Sequence, residues 1–211
     1  MTSARHRRGV GEVTFNGLKL LTAPGLVMTP RPTTEQLVAA ACAHVGDGDA
    51  SVVDVGTGSG AIAIAIAIAC PNAEVWATDT SPSAVRLTRA NVRRHRLAGR
   101  VFVGQGDLLE PVPGPADVIV ANLPYVPASS ASDHPELKAE PFDAVFSGND
   151  GLDSYRRLVD GAITRLTDSG VLLLQLNRHL VSADRSELPA LAAAFAVPGS
   201  RVAEVVFAEA A

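Results

Sequence analysis

The sequence predicts an α/β fold in which a mostly parallel central sheet carries helices on both faces, preceded by a short N-terminal hairpin. Three observations lead there. From Val52 onward, short apolar β-type runs alternate with helical segments, an order that requires parallel strands joined by crossovers. The polar motifs Asp54 to Gly60, Asp79 and Asn122 to Tyr125 each fall at the end of such a run, and open α/β sheets bind ligands beyond the carboxyl ends of their strands. Finally, 211 residues with 47% apolar and 19% charged side chains suffice for one buried core and exclude a disordered chain.

Taken in order, residues 1–14 read as a basic, flexible leader and 15–211 as one domain. Phe15 to Met28 is apolar with glycines at Gly17 and Gly25, which predicts the hairpin. Pro30-Arg31-Pro32-Thr33 leads into a helix from Thr34 to His44, with Thr33 and Gln36 at capping-box spacing. Val52 to Val55 is a short buried strand bounded by glycines. Ala61 to Ala69 alternates Ala and Ile, which alone would favour a strand. Its place after a glycine loop that itself follows a strand predicts a helix apolar on every side. Glu74 to Thr78 is the next strand, after which Ser81 caps a helix with Pro82 at its first position, running to Leu97. Val101 to Val103 and Asp117 to Val120 are short strands. Leu152, Tyr155, Val159, Ile163 and Leu166 recur at helical spacing, and Val171 to Leu176 is a long buried strand. Leu188 to Phe195 reads as helical and Arg201 to Phe207 as a last strand.

Charge and cysteine usage exclude several function classes. A net charge of -4 argues against holding long nucleic acid by phosphate neutralisation. Sixteen of the eighteen basic residues are Arg, which with the many alanines points to base composition rather than function. Cys42 and Cys70 belong to no C-x-x-C pair and read as two buried, reduced thiols. Arg5, Arg7 and Arg8 precede no apolar h-region, and Ala61 to Cys70 is half the length that crosses a bilayer, so the expected setting is the cytoplasm, without membrane contact.

Asp54-Val55-Gly56-Thr57-Gly58-Ser59-Gly60 joins a strand to a helix, where glycines let a ligand approach the main chain without meeting a Cβ. Asp79 ends the following strand, where a carboxylate can accept both hydroxyls of a ribose. Together they predict an adenosine-type cofactor. Gly56, Gly58 and Ala61 also satisfy the loose dinucleotide pattern, but the packed G-T-G-S-G favours S-adenosylmethionine, which has no pyrophosphate to seat at a helix N-terminus.

Asn122-Leu123-Pro124-Tyr125 follows the strand Asp117 to Val120, at the same sheet edge as the loop and Asp79. Here the chain resembles the methyltransferases that modify planar nitrogens through an Asn/Asp-Pro-Pro-Tyr motif, and more narrowly the HemK/PrmC family, which methylates a glutamine side-chain amide in peptide-chain release factors. The resemblance rests on six blocks in order: Thr29 to Glu35, Asp54 to Gly60, Gly106-Asp107-Leu108, Asn122 to Tyr125, Glu140-Pro141 and Gly148 to Leu152. It implies a Rossmann-like class I methyltransferase fold, S-adenosylmethionine as cofactor and a protein substrate, a release factor first.

By that resemblance, the Asn122 side-chain carbonyl and the Leu123 main-chain carbonyl would receive the two amide hydrogens. Pro124 would fix the bend, and the Tyr125 ring would pack on the planar substrate group. Gly56, Thr57, Gly58, Ser59 and Gly60 would pass the methionine part of the cofactor, Asp79 would hold its ribose, and Asp107 and Leu108 would lie near the adenine. Pro30 to Glu35 would help close the site, with Arg31 contacting substrate or pairing locally. The chain departs from the family in three places. Leu123 replaces the first proline, leaving a carbonyl whose orientation is less fixed. Gln175 to Asn177 replaces the usual acidic residue after the last core strand. Ahead of Phe15 stand too few residues for the helical domain that grips the release factor, so the expectation is a family member without it.

Other conspicuous residues take blander readings. His6, His44, His95, His134 and His179 show no ligand spacing, so no metal is expected. Arg93 to Arg96 is a basic helix end. Trp76 belongs to the core, and Glu140 and Asp150 order loops. Two rivals stay open: methylation of an exocyclic base amine in RNA or DNA, and a binding protein that holds the cofactor or a dinucleotide without catalysis.

Overall fold

The computed structural model describes residues 9–137, 139–177 and 202–208. A two-stranded antiparallel hairpin, β1 (Gly11–Phe15) and β2 (Leu18–Thr22), precedes everything else. Asn16 and Gly17 turn it with φ of 48° and 74°, the left-handed pair that matches strand twist in a two-residue loop. The hairpin therefore begins at Gly11, inside the segment predicted as flexible leader, because Val13 packs with Phe15 and Leu20 onto the core.

Next come a short 3-10 turn (Pro32–Thr34) and α1 (Glu35–Val45). The predicted capping box does not form: Pro32 starts a separate turn, and no side chain caps α1. Among the described residues the main sheet has six parallel strands. They are β3 (Ala50–Val55), β4 (Ala73–Asp79), β5 (Val101–Gln105), β6 (Ala116–Ala121), β7 (Leu166–Asn177) and β8 (Val202–Ala208), in the spatial order β5-β4-β3-β6-β7-β8. The strand at Val202–Ala208 agrees with the predicted last strand, while the predicted helix Leu188 to Phe195 lies outside the described residues.

The crossover helices are α2 (Ala61–Ala69), α3 (Pro82–Arg94) and α4 (Asp153–Ala162). Ala61 to Ala67 are all buried, which explains why the Ala-Ile run carries no polar face. Pro82 opens α3, and Ser81 Oγ accepts from the Ala84 N–H at 3.4 Å, as its sequence predicts. α4 ends at Ala162, so Leu166 belongs not to that helix but to the start of β7, paired with Ala116 before a register shift.

Strand side chains alternate between two cores. Val52, Val75, Ala77, Val118, Val120, Val171 and Leu173 face α1, α2 and the hairpin, whereas Val53, Val55, Ile119, Leu172, Leu174 and Leu176 face α4. A buried side chain of this type contributes about 1.5–3 kcal/mol relative to exposure, so these two layers fix the strand register. Trp76 is half-buried and stacks on Phe102 with ring centroids 5.3 Å apart, at the β4–β5 side of the sheet rather than in its centre. Cys70 is buried and Cys42 only partly so; both are free thiols. Among the described residues no helix is long and apolar enough to cross a membrane.

Candidate active site

β3 pairs with β4 on one side and β6 on the other, so the chain's winding direction reverses between β3 and β6. Loops leaving adjacent strands to opposite sides at such a point open a crevice. The glycine loop leaves β3 and the Asn122–Tyr125 bend leaves β6, directly over that crevice. A cavity of about 650 Å³ occupies it, lined by Gly56, Gly58, Asp79, Asp107, Leu108, Asn122, Leu123 and Pro124 among others.

The glycine loop is built from behind. Asp54 is fully buried, and its Oδ2 accepts from Thr57 Oγ1 at 2.6 Å and from the Ala63 N–H at 3.1 Å. Its Oδ1 is buried without a hydrogen-bond partner among the described residues. Burial pushes Asp54 up to about 7; the bonds from Thr57 and Ala63 oppose this and the charge of Asp79 adds to it. On the other side, α3 reaches across to the loop carbonyls. Thr88 Oγ1 donates to the Gly58 carbonyl at 2.9 Å, and Asn91 Nδ2 donates to the Ser59 carbonyl at 2.8 Å. Asn91 also exchanges two hydrogen bonds with the Leu21 main chain, tying the hairpin to the same loop.

Gly56, at φ 70°, could carry no side chain without cost, since a Cβ there would stand 2.6 Å from Leu123 Cδ2. Asp79 ends β4 with both carboxylate oxygens engaged: Oδ2 accepts from the Gly58 N–H at 2.9 Å and Oδ1 from the Ser81 N–H at 2.8 Å. Each oxygen keeps a second lone pair, and Asp79 lines the cavity. Burial raises its pKa, against the pull of those two N–H groups. Asp107 lies at the same cavity, paired with Arg157 of α4.

The bend itself is held from below. Asn122 Nδ2 donates to Thr34 Oγ1 at 3.2 Å, and Gln175 Nε2 donates to the same oxygen at 3.2 Å. The Leu123 N–H donates to the Tyr155 hydroxyl at 3.0 Å, and that hydroxyl stands 3.1 Å from the Leu123 carbonyl and 2.6 Å from the Gln175 carbonyl. Leu123 is thus far better fixed than its replacement of a proline predicts. Behind the bend, Val126 bridges to Phe146, and Gly151 passes so close that a Cβ would lie 2.2 Å from the Tyr125 carbonyl oxygen. Asp150 accepts from the Leu152 N–H at 3.0 Å and pairs with Arg156, while Glu140 accepts from the Thr29 N–H at 3.3 Å. Both carboxylates order loops, in agreement with their sequence reading.

The structure does not bring every predicted site residue to the cavity. Thr57, Ser59, Gly60, Tyr125 and Arg31 are absent from its lining. Thr57 and Ser59 are turned into the fold, and Gly60 packs at the start of α2, where a Cβ would meet Thr88. The Tyr125 ring lies among Leu152, Val126 and their neighbours, and burial raises its pKa while the nearby Arg31 charge opposes this. Conversely, Thr88, Asn91 and Tyr155 support the site without having drawn notice in the sequence as doing so, and Thr34 and Gln175, noticed only within the closing segment and as a departure from the family, prove to hold the bend. Each reads as an ordinary helix or strand residue, and only the hydrogen-bond partners, 30 to 141 positions away, reveal the role.

Residues 33–135 match the family model of the methyltransferase small domain. A release factor glutamine methyltransferase from Deinococcus radiodurans is 40% identical over 169 residues, covering 79% of this chain and 60% of that protein. A ribosomal protein uL3 glutamine methyltransferase from Bradyrhizobium diazoefficiens is 41% identical over 125 residues, 57% of this chain and 39% of the relative. The chain therefore spans at most about 60% of the length of these curated relatives. Among solved structures, the 16S rRNA N2 G1207 methyltransferase of T. thermophilus, in complex with AdoMet and guanosine, superposes with a TM-score of 0.60 at 18% identity, covering 82% of this chain and 43% of that one. A ribosomal protein L11 methylase from Lactobacillus delbrueckii gives 0.53 at 25% identity, covering 82% and 71%. These neighbours establish the class I methyltransferase fold.

Proposed function

We propose, from the likeness to release factor and ribosomal protein uL3 glutamine methyltransferases, that the chain transfers a methyl group from S-adenosylmethionine to the side-chain amide nitrogen of a glutamine in a protein. A peptide-chain release factor is the first substrate to test, ribosomal protein uL3 the second, and the cytoplasm the setting. One observation carries the reading: the Asn122–Leu123 bend and the glycine loop line one cavity at the sheet's switch point.

The cavity fits the cofactor. Its volume of about 650 Å³ falls within the range of small-molecule sites, roughly 300–1,000 Å³. Gly56 and Gly58 present bare backbone to it, and Asp79 offers lone pairs where a ribose needs acceptors. Asp107 and Leu108 also line the cavity, and adenine is assigned to them by the HemK/PrmC resemblance. S-adenosylmethionine, when bound, supplies an electrophilic methyl group.

What remains for the protein is to prepare a poor nucleophile. An amide nitrogen shares its lone pair with the carbonyl, and two acceptors directed at its hydrogens favour build-up of that lone pair while fixing its direction. With Nδ2 bonded to Thr34, the planar Asn122 amide turns its oxygen away from Thr34. The Leu123 carbonyl keeps a second lone pair beside its Tyr155 contact. Pro124 restricts the backbone between them and the half-buried Tyr125, whose ring packs against the core on one side.

The test is incubation with methyl-labelled cofactor and, separately, release factors, ribosomal protein uL3, and total RNA and DNA. Label in glutamine of either protein is expected; label in nucleic acid alone contradicts the reading. Asn122→Ala should lower turnover by roughly a hundredfold, in line with loss of one aimed polar group, and change cofactor affinity far less. Calorimetry with S-adenosylmethionine and with NAD tests the cofactor: tight NAD binding with no response to S-adenosylmethionine would overturn it, while S-adenosylmethionine binding without turnover would favour the non-catalytic binding protein.

A further inference from the structure

Two hydroxyls hold the bend, and both are joined to one residue. Thr34 Oγ1, at the end of the 3-10 turn before α1, accepts from Asn122 Nδ2 and Gln175 Nε2, each at 3.2 Å. The Tyr155 hydroxyl of α4 accepts the Leu123 N–H at 3.0 Å, and its single hydrogen goes to the Gln175 carbonyl, the shorter of its two carbonyl contacts at 2.6 Å. Gln175 near the end of β7 therefore reaches Asn122 through its side chain and Leu123 through its main chain. Thr34, Tyr155 and Gln175 are 5%, 0% and 2% exposed, so water does not compete for these bonds.

We propose that Thr34, Tyr155 and Gln175 are positioning residues that set the orientation of the two acceptors in the Asn122–Leu123 bend. The inference rests on the methyl-transfer reading for its kinetic consequence, but not for its geometry. The two ends of a carboxamide have nearly the same shape, so packing alone leaves Asn122 able to present either NH2 or oxygen to the cavity. Accepting from both Nδ2 and Gln175 Nε2 biases Thr34 Oγ1 toward the NH2 end, because a half-turn of the amide would bring Oδ1 to that oxygen and require the hydroxyl hydrogen to turn toward it. Tyr155 does the same for the Leu123 peptide, whose side chain at this position imposes no φ restriction of its own as proline would. Gln175 is bound to both hydroxyls, and it stands where the HemK/PrmC resemblance leads one to expect an acidic residue. Its Oε1 is buried with no hydrogen-bond partner among the described residues, a cost tolerated where Nε2 and the carbonyl hold the frame together.

The experiment compares Thr34→Val, Thr34→Ser, Tyr155→Phe and Gln175→Leu with the wild type by two readouts. In the protein without cofactor, the side-chain NH2 resonances of Asn122 are followed by NMR, assigned through Asn122→Asp. Thr34→Val and Gln175→Leu should shift or broaden them, and Thr34→Ser should restore them. In turnover with labelled cofactor, Thr34→Val and Tyr155→Phe should each lower kcat by roughly tenfold or more, the equivalent of one buried hydrogen bond, with cofactor Kd within about twofold. Thr34→Ser should recover most of the rate. Unmoved Asn122 resonances in a folded Thr34→Val protein overturn the inference, as does an unchanged kcat. Should Thr34→Val fail to fold, Tyr155→Phe and Gln175→Leu decide by the same measures. A wild type that methylates no glutamine refutes the proposed reaction, while the resonances still decide whether Thr34 holds Asn122.

Discussion

Replacing Gly56 by alanine tests how tightly the glycine loop and the bend are built against each other. Gly56 sits at φ 70°, and a side chain in the left-handed region costs about 1–2 kcal/mol. The new Cβ would also stand 2.6 Å from Leu123 Cδ2, against about 3.5–4.0 Å for carbon atoms in contact. Leu123 is 6% exposed and packed between the loop and α4, so its retreat resembles overpacking of a core, worth about 1–3 kcal/mol. Gly56→Ala should therefore destabilise the fold by roughly 2–5 kcal/mol in denaturant titration. The two causes separate in a double-mutant cycle. Leu123→Ala removes the overlap and leaves the backbone strain, so the pair should be more stable than additivity predicts by about 1–3 kcal/mol. Strict additivity, within about 0.5 kcal/mol, would refute the packing of Leu123 on Gly56 and with it the claim that these loops form one site.

Two further outcomes follow from the electrostatics. Burial raises Asp54 to about 7 from an ordinary 3.8, so between those values the folded protein holds a proton that the unfolded chain has released. This contribution is greatest at low pH, declines as pH rises through the window and levels off above about 7. From pH 5 to pH 8 the stability of the wild type should fall relative to Asp54→Asn by about 3 kcal/mol, measured by denaturant titration, and a flat difference would contradict the assignment. The Asp107–Arg157 pair is 38% and 59% exposed, so solvent screens it, and Arg157→Ala should change stability by less than about 1 kcal/mol. A larger loss in thermal unfolding would mean that the pair braces the cavity.

Strand alternation, the apolar Ala-Ile helix and the placement of three motifs at strand ends were all legible in the chain, because each depends on local pattern and on the direction of parallel crossovers. The capping box at Thr33 was not, since Pro32 has enough local preference to start its own turn and Thr34 is recruited elsewhere. Leu166 continued the helical spacing of Leu152 to Ile163 by coincidence, and pairing with Ala116 overrides it. Tyr125 carried an expectation borrowed from the resemblance, and its half-buried ring packs against two clusters of the core, a tertiary contact that no local pattern announces. The supports of the site were the least visible. Thr34 and Gln175 stand 141 positions apart, and no periodicity or motif links residues that meet only when β7 and the turn before α1 converge on β6.

The central claim is that the Asn122 oxygen faces the reactive end of the cofactor across the switch-point cavity. A crystal structure with S-adenosylmethionine bound tests it most directly. The account predicts the ribose at Asp79, the main chain of Gly56 and Gly58 along the methionine part, and the sulfonium methyl pointing toward Asn122. A cofactor seated elsewhere, or one whose methyl group points away from the bend, would contradict it.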